Sequence, residues 1–372
     1  MNIFRRLPLY RLLLLCGVVI AVGVSATALA SALGGGPTPP AKPLAEAVHD
    51  ALVGAHAGSV QGVSANITLS NHLLEGANLA SGAGQGAGEL TSSPLITGGS
   101  GRLWVAKDGR VRLELQAEKG DTQVLYDGNM VSIYDASSNT LYRYQVPKHE
   151  GGGSASGAPA ADQHEPPSLA KVEEAIAHLK QHVDVSDATP TDVAGQPAYT
   201  VRVSPNEAGS LLGGAELSFD ASNGLPLRAA VYSSTSSAPV IELAATEISY
   251  GPVEDSVFSF TPPANAKVEE IKASGAGDSG ASPQGTADAG EKPTVTTHGH
   301  GVTAIAVLES KAKAGAGSSA LEGLPKVDIN GTSASELRTA LGTVLSFERS
   351  GVRYVLAGSV TPAAIEALAR GL

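Results

Sequence analysis

The chain has 372 residues, enough for two modest domains or one large domain with extensions. Its net charge is −11, from 25 Lys and Arg against 36 Asp and Glu, which argues against a nucleic-acid partner because phosphate neutralisation needs clustered cations. Aromatics make up only 4% and the one Cys, Cys16, lies in an apolar run, so the core rests on Val, Leu and Ile without disulfide or thiol chemistry.

At the N-terminus, Arg5, Arg6 and Arg11 precede LLLLCGVVIAVGV and the small residues of SATALASALGGG, with Ala-x-Ala options ending at Ala30 or Ala32. Residues 1–32 read as an export leader. Leu12 to Leu33 is also long enough to span a bilayer, for which about 20 residues suffice. A cleaved signal peptide and a retained membrane anchor both stay open, and both make the protein extracytoplasmic. Leu15 stands where bacterial lipoprotein processing at Cys16 wants a small side chain.

Residues 33–43 form a Gly- and Pro-rich spacer. PLAEAVHDALVGAHAG then predicts a helix, with Leu44, Val48, Ala51 or Leu52, and Ala55 on one stripe, Pro43 at its start and Gly58 at its stop. SVQGVSANITLSNH has the β-branched alternation of a strand. Residues 75–100 form a long loop rich in Gly, Ala and Ser.

From Gly101 the pattern is almost pure β. In RVRLELQAE, Val111, Leu113 and Leu115 alternate with Arg112, Glu114 and Gln116. Asp108-Gly109, Asp127-Gly128 and Ser138-Asn139 supply turns, so an antiparallel meander with one wet and one apolar face is expected. A second loop spans 148–167. SLAKVEEAIAHLKQHV is then the clearest helix, with Leu169, Val172, Ile176, Leu179 and Val183 on one stripe and Ser168 as its cap.

Strands resume in QPAYTVRVSP, GAELSFDASNGLPLRAAVYSS and PVIELAATEISY. The composition of 269–294 reads as a linker. Residues 295–372 read as a small α+β module: an alternating run at Val302–Leu308, a helix near Ser333–Gly342 with Ser333 and Glu336 as a capping box, the hairpin TVLSFERSGVRYVLAG, and a last helix opened by Thr361-Pro362.

Candidate chemistry is sparse. Ser168-x-x-Lys171 matches a short nucleophile motif, but the partner motifs of that chemistry are missing and Ser168 is accounted for as a cap. Glu174, His178 and His182 fall at i, i+4, i+8, away from the apolar stripe, as a solvated face would; His298-Gly299-His300 lacks further ligands. Asn66-Ile67-Thr68 and Asn330-Gly331-Thr332 are glycosylation sequons of a kind that arises by chance. No nucleotide-binding or metalloprotease motif occurs. The expectation is a non-enzymatic protein without metal or cofactor.

The strands GSGRLWVAKDGRVRLELQAEKGDTQVLYDGNMVSIYDASSNTLYRY, with QPAYTVRVSP, LSFDASNGLPLRAAVYS and DSVFSFTPPANAKVEE later, resemble the LolA family of periplasmic lipoprotein carriers and its RseB-like relatives. The resemblance covers about residues 44–270. It implies an α+β fold: an open antiparallel half-barrel over 44–268, covered by helices, whose apolar face takes the acyl chains of lipids or lipoproteins. Residues expected to line it are Leu103, Val105, Val111, Leu113, Leu115, Val201, Val203, Leu217 and Phe219, in the register that alternation assigns.

In the carriers a cation follows the Leu-Trp-Val strand. Here it is Lys107, a point charge in place of the planar Arg fork. An N-terminal anchor would conflict with a freely diffusing shuttle. The C-terminal module is foreign to plain carriers and closer in layout to RseB, which implies an alternative partner, a regulatory membrane protein of the anti-sigma type. The Ala- and Gly-rich, aromatic-poor composition fits a high-GC actinobacterial source.

Overall fold

In the computed structural model, residues 36–56, 60–75, 94–118, 120–146, 166–271, 294–311 and 324–372 are described. The leader 1–32, most of the loops 75–100 and 148–167, and the linker from 272 to 293 lie outside them. Two mainly antiparallel sheets with few helices make up the described residues, an α+β architecture.

The first sheet begins with β1 (Gly62–Asn71), β2 (Gly99–Ala106) and β3 (Val111–Ala117). It continues through β4 (Gly120–Tyr126), β5 (Met130–Asp135) and β6 (Thr140–Gln145) as the expected meander. After the helix Leu169–Leu179 come β7 (Val183–Val185), β8 (Thr189–Val193), β9 (Gln196–Pro205), β10 (Leu212–Asp220), β11 (Pro226–Ser233) and β12 (Pro239–Tyr250). A last strand, β13 (Lys267–Ile271), completes the thirteen-stranded order β13-β6-β5-β4-β3-β2-β1-β12-β11-β10-β9-β7, with β8 also on β9. β1 and β12, far apart in sequence, are thus central neighbours.

β13 pairs in parallel with β6, from Lys267 opposite Thr140 to Ile271 opposite Tyr144. A boundary between domain and linker at 268 therefore cuts through a strand; pairing carries the sheet on to Ile271. β8 also folds back on β12, where Ile248 packs on the cluster of Val193, Ala198 and Leu227. Three strands separate β8 from β12 in the sheet order, so this contact requires the sheet to curl.

The helices are α1 (Leu44–His56), α2 (Pro94–Thr97), α3 (Leu169–Leu179) and α4 (Pro362–Gly371). In α1 the buried stripe is Leu44, Ala47 and Ala51, which pack with Tyr199 and Phe219 of the sheet; Leu52 and Ala55 are exposed. α3 is shorter than its apolar stripe suggested. Val172 is buried and Ile176 joins the α1 cluster, but Leu179 is 40% exposed and Val183 belongs to β7. Pairing of Val183 and Val185 with β9 wins over one more helical turn, as β-branched residues favour. Ser168 stands at the N-cap position in extended conformation, but its hydroxyl makes no capping bond.

The second sheet has the order β14-β15-β19-β18-β17-β16. Its strands are β14 (Thr294–His298), β15 (Ile305–Lys311), β16 (Lys326–Ile329), β17 (Thr332–Arg338), β18 (Thr343–Arg349) and β19 (Val352–Gly358). The expected helix near Ser333–Gly342 is not a helix: Thr332–Arg338 is β17. Asn330 and Gly331, with φ of 53° and 81°, form the tight turn that joins it to β16. Glu336, expected in a capping box, is instead a buried strand residue paired with Arg338 at 2.6 Å.

α4 covers this sheet through Ile365 and Ala369, in a core with Val307, Ile329, Leu345 and Leu356. The two sheets meet where Ser210 bridges Val360 and the Leu211 amide donates to the Ser359 carbonyl at 2.8 Å. A further backbone bond runs from the Ala340 amide to the Leu73 carbonyl at 3.2 Å.

Candidate ligand-binding face

Side chains alternate between the faces of a strand, so cross-strand register decides which residues share a face. Leu103 and Val105 on β2 lie opposite Leu113 and Val111 on β3, and opposite Ala65 and Val63 on β1. Leu115 lies opposite Gly101. From β1 the same face passes to Leu243, Ile248 and Tyr250 on β12, then to Ala229 and Val231 on β11. It reaches Leu217 and Ala215 on β10 and their partners Val201 and Val203 on β9, with Phe219 opposite Tyr199. By register, every apolar residue expected to line a cavity belongs to this one face.

Burial then separates them. Leu113, Leu115 and Phe219 are buried, at 8%, 1% and 7% exposure. Leu103 and Val105 pack against the cluster of Val63, Ile67, Leu69, Leu113 and Leu115, which Leu95 of α2 also joins. Val201 packs into the α1 cluster. Val111, Val203 and Leu217 are half-buried. Lys107 lies beyond the end of β2, exposed, with its Nζ 3.4 Å from Gln61 Oε1.

The face also runs the other way, through residues the sequence reading left out. Val111 and Leu113 lie opposite Tyr126 and Val124 on β4, which lie opposite Val131 and Ile133 on β5, and these opposite Tyr144 and Tyr142 on β6. Apart from Leu113, all of these side chains are half-buried. The alternation that marked β3 is present in TQVLY, MVSIYD and TLYRY as well, and was signal enough to include them.

The opposite face carries the charged side chains of β9 to β12. Arg202, Glu216, Arg228 and Glu242 form an ionic ladder across β9, β10, β11 and β12, with N–O separations of 3.1, 3.0 and 2.9 Å. The Tyr232 hydroxyl donates to Glu216 at 2.7 Å, and the Arg202 guanidinium lies 4.3 Å from the Tyr232 ring centre. Burial pushes the Glu216 carboxyl up, but hydrogen bonds from Tyr232, Arg228 and Arg202 outweigh it and hold the group below the ordinary carboxylate value. Farther along, Arg112 donates to the carbonyls of Val257 and Ser259, and Tyr134 meets Phe260 at 5.4 Å. The segment after β12 thus straps the polar side of the meander.

A second buried node lies where β10 ends. Asp220, 1% exposed, accepts from the amides of Ser222 and Asn223 and from the Tyr250 hydroxyl at 2.6 Å. Burial, and then that hydrogen bond, raise the Tyr250 phenol well above its ordinary value. The carboxylate anchors the turn whose Gly224, at φ of 70°, lies against the backbone of Ala51 in α1.

The other sequence candidates stay apart. Lys171, Glu174, His178 and His182 are exposed, and the two imidazole rings lie 5.4 Å apart. Among the described residues no group of three or more His, Cys, Asp or Glu could hold a metal ion, and no helix is long and apolar enough to cross a membrane.

No family model matches the sequence, and no curated protein does. Among solved structures, a complex of MucB with MucA(peri) is similar at TM-score 0.44 and 15% identity, covering 88% of this chain and 97% of that one. The MucA/MucB complex of Pseudomonas aeruginosa matches at TM-score 0.41 and 16% identity, covering 87% and 97%. A LolA superfamily protein from Nitrosomonas europaea matches at TM-score 0.19 and 10% identity, covering 85% and 91%. The last carries the superfamily name that the strand motifs resembled. At such scores these likenesses carry no inference about function, nor do they bear on the actinobacterial source expected from composition.

Proposed function

We propose that this is an exported, non-enzymatic protein that holds acyl chains of a lipid or lipoprotein against the apolar face of its large sheet, in transport within the cell envelope. The carrying observation is the half-buried stretch of that face on β3 to β6, where Val111, Val124, Val131 and Ile133 adjoin Tyr126, Tyr142 and Tyr144. The curl that brings Val193 to Ile248 supports an open half-barrel around it. Its driving force is burial: each methylene moved out of water contributes roughly 0.8 kcal/mol, so one long chain suffices for useful affinity.

A second reading is an envelope-stress sensor that binds a regulatory membrane protein, with the lipid site as its switch. The second sheet favours it, because that sheet has its own core and meets the first through few backbone bonds. Pull-down from membranes separates the two readings. Diverse lipoproteins support carriage, and a single membrane regulator supports sensing.

Native mass spectrometry of the gently purified full chain, with titration of a fluorescent fatty acid, tests the acyl site itself. Co-purified acyl species and saturable probe binding are expected. An Ile133→Asp chain, carrying a charge on the half-buried stretch, should bind the probe about tenfold more weakly or worse. Absence of both acyl species and probe binding would sink the proposal.

A further inference from the structure

The only Trp in the chain faces away from the apolar surface. Trp104 lies opposite Ser64 on β1 and Arg112 on β3, which puts it on the polar side of the large sheet. There it lines a cavity of about 250 Å³ with Ser64, Asn66, Arg102, Glu247 and Ser249. A second cavity of about 450 Å³ shares Asn66 and Arg102 and extends past Thr68, Ser100, Glu114 and Gln116. Together they make one trough across β12, β1, β2 and β3.

The trough has a cause in the sequence. Its lining combines small side chains (Ser64, Thr68, Ser100 and Ser249) with long ones (Asn66, Arg102, Glu114, Gln116 and Glu247). A β-bulge deepens the break in the ladder: Asn66 lies opposite Glu247 and Ile67 opposite Ala245, so Thr246 is the extra residue. Asn66 Nδ2 donates to Glu247 Oε2 at 2.7 Å, which pre-sets an amide–carboxylate pair at the surface.

The geometry points to a glycan site: a short run of neutral, polyhydroxylated sugar rings lying in this trough with one ring on Trp104. The lining carries planar groups (guanidinium, amide and carboxylate) that match adjacent sugar hydroxyls two bonds at a time. The indole supplies the flat apolar surface on which the C–H face of a pyranose packs. The lining is too polar for an acyl chain. An extended peptide is disfavoured too, because all four strands have both neighbours paired and offer no backbone edge for strand addition. This site is separate from the acyl-binding proposal and on the other face of the sheet.

The single Trp makes the test direct. Chitotetraose and cellotetraose are titrated into the full chain while intrinsic fluorescence is followed, with isothermal calorimetry as a second readout. A saturable change in Trp104 emission with at least one of them is expected. Asn66→Ala and Arg102→Ala, both at exposed positions, should weaken it about tenfold while leaving the circular dichroism and the binding of a fluorescent fatty acid unchanged. No fluorescence change and no heat with either sugar overturns the proposal, as does sugar binding that both variants retain. A Trp104 response to the fatty acid that the sugars lack also overturns it, and would move the lipid to this face.

Discussion

Asp220 and Glu216 are both carboxylates of β10, and their surroundings give them different kinds of dependence. Asp220 is a fully enclosed acceptor, so Tyr250→Phe leaves its Oδ2 without the donor it has at 2.6 Å. A loss of about 1–3 kcal/mol is expected in urea denaturation, with the slope unchanged. Glu216 is held below its ordinary value, so its contribution is present above the unfolded carboxylate range and is lost as pH falls through the lowered value. Glu216→Gln should therefore be less stable than the parent at neutral pH, and the gap should narrow by about pH 3. Urea midpoints at the two pH values check this; a gap that stays constant would show that the ladder owes nothing to ionisation. Sequence periodicity could place Glu216 on a wet face but could not pair it with Arg202 on β9 and with Arg228 and Tyr232 on β11.

At the scale of elements, local patterns were dependable where strands are contiguous hairpins and failed where two periodicities compete. The meander from β2 to β6 followed from alternation and turn residues alone. In 332–338, the Ser-x-x-Glu pattern of a capping box overlies a strand, and Asn330-Gly331 just before it is the stronger signal. The two alternatives differ under mutation. In the observed turn, Gly331 has φ of 81° and Gly331→Ala should cost about 1 kcal/mol or more. Were a helix to start there, the same change would be neutral or stabilising, so a thermal melt separates them. α3 gives the complementary case, since its apolar stripe continues in sequence after the chain has left the helix to pair with β9.

For the whole molecule, the two sheets keep separate cores and are joined by the Ser210–Val360 bridge with its neighbouring bonds and by the Ala340–Leu73 bond. Scanning calorimetry of the full chain should therefore resolve two overlapping transitions. Leu211→Pro, which removes the amide donating to Ser359, should move them farther apart. A single peak with equal calorimetric and van't Hoff enthalpies would mean that the sheets unfold as one unit.

The strand-rich α+β class, the meander and the common face of Leu103 to Leu115 were legible in the sequence, because those depend on alternation within a strand and on turn chemistry between neighbours. The sequence also marked Trp104 as facing the other way. Long-range pairing settled that β1 and β12 are central neighbours, that β13 adds in parallel to β6, and that Leu113, Leu115 and Phe219 are packed core. It also decided that the half-buried apolar stretch lies on β3 to β6, and that Trp104 stands in a polar trough. Those outcomes depend on which distant strands pair and on what covers each face. No local pattern encodes that, because hydrophobic burial is non-directional and register is settled only between partners.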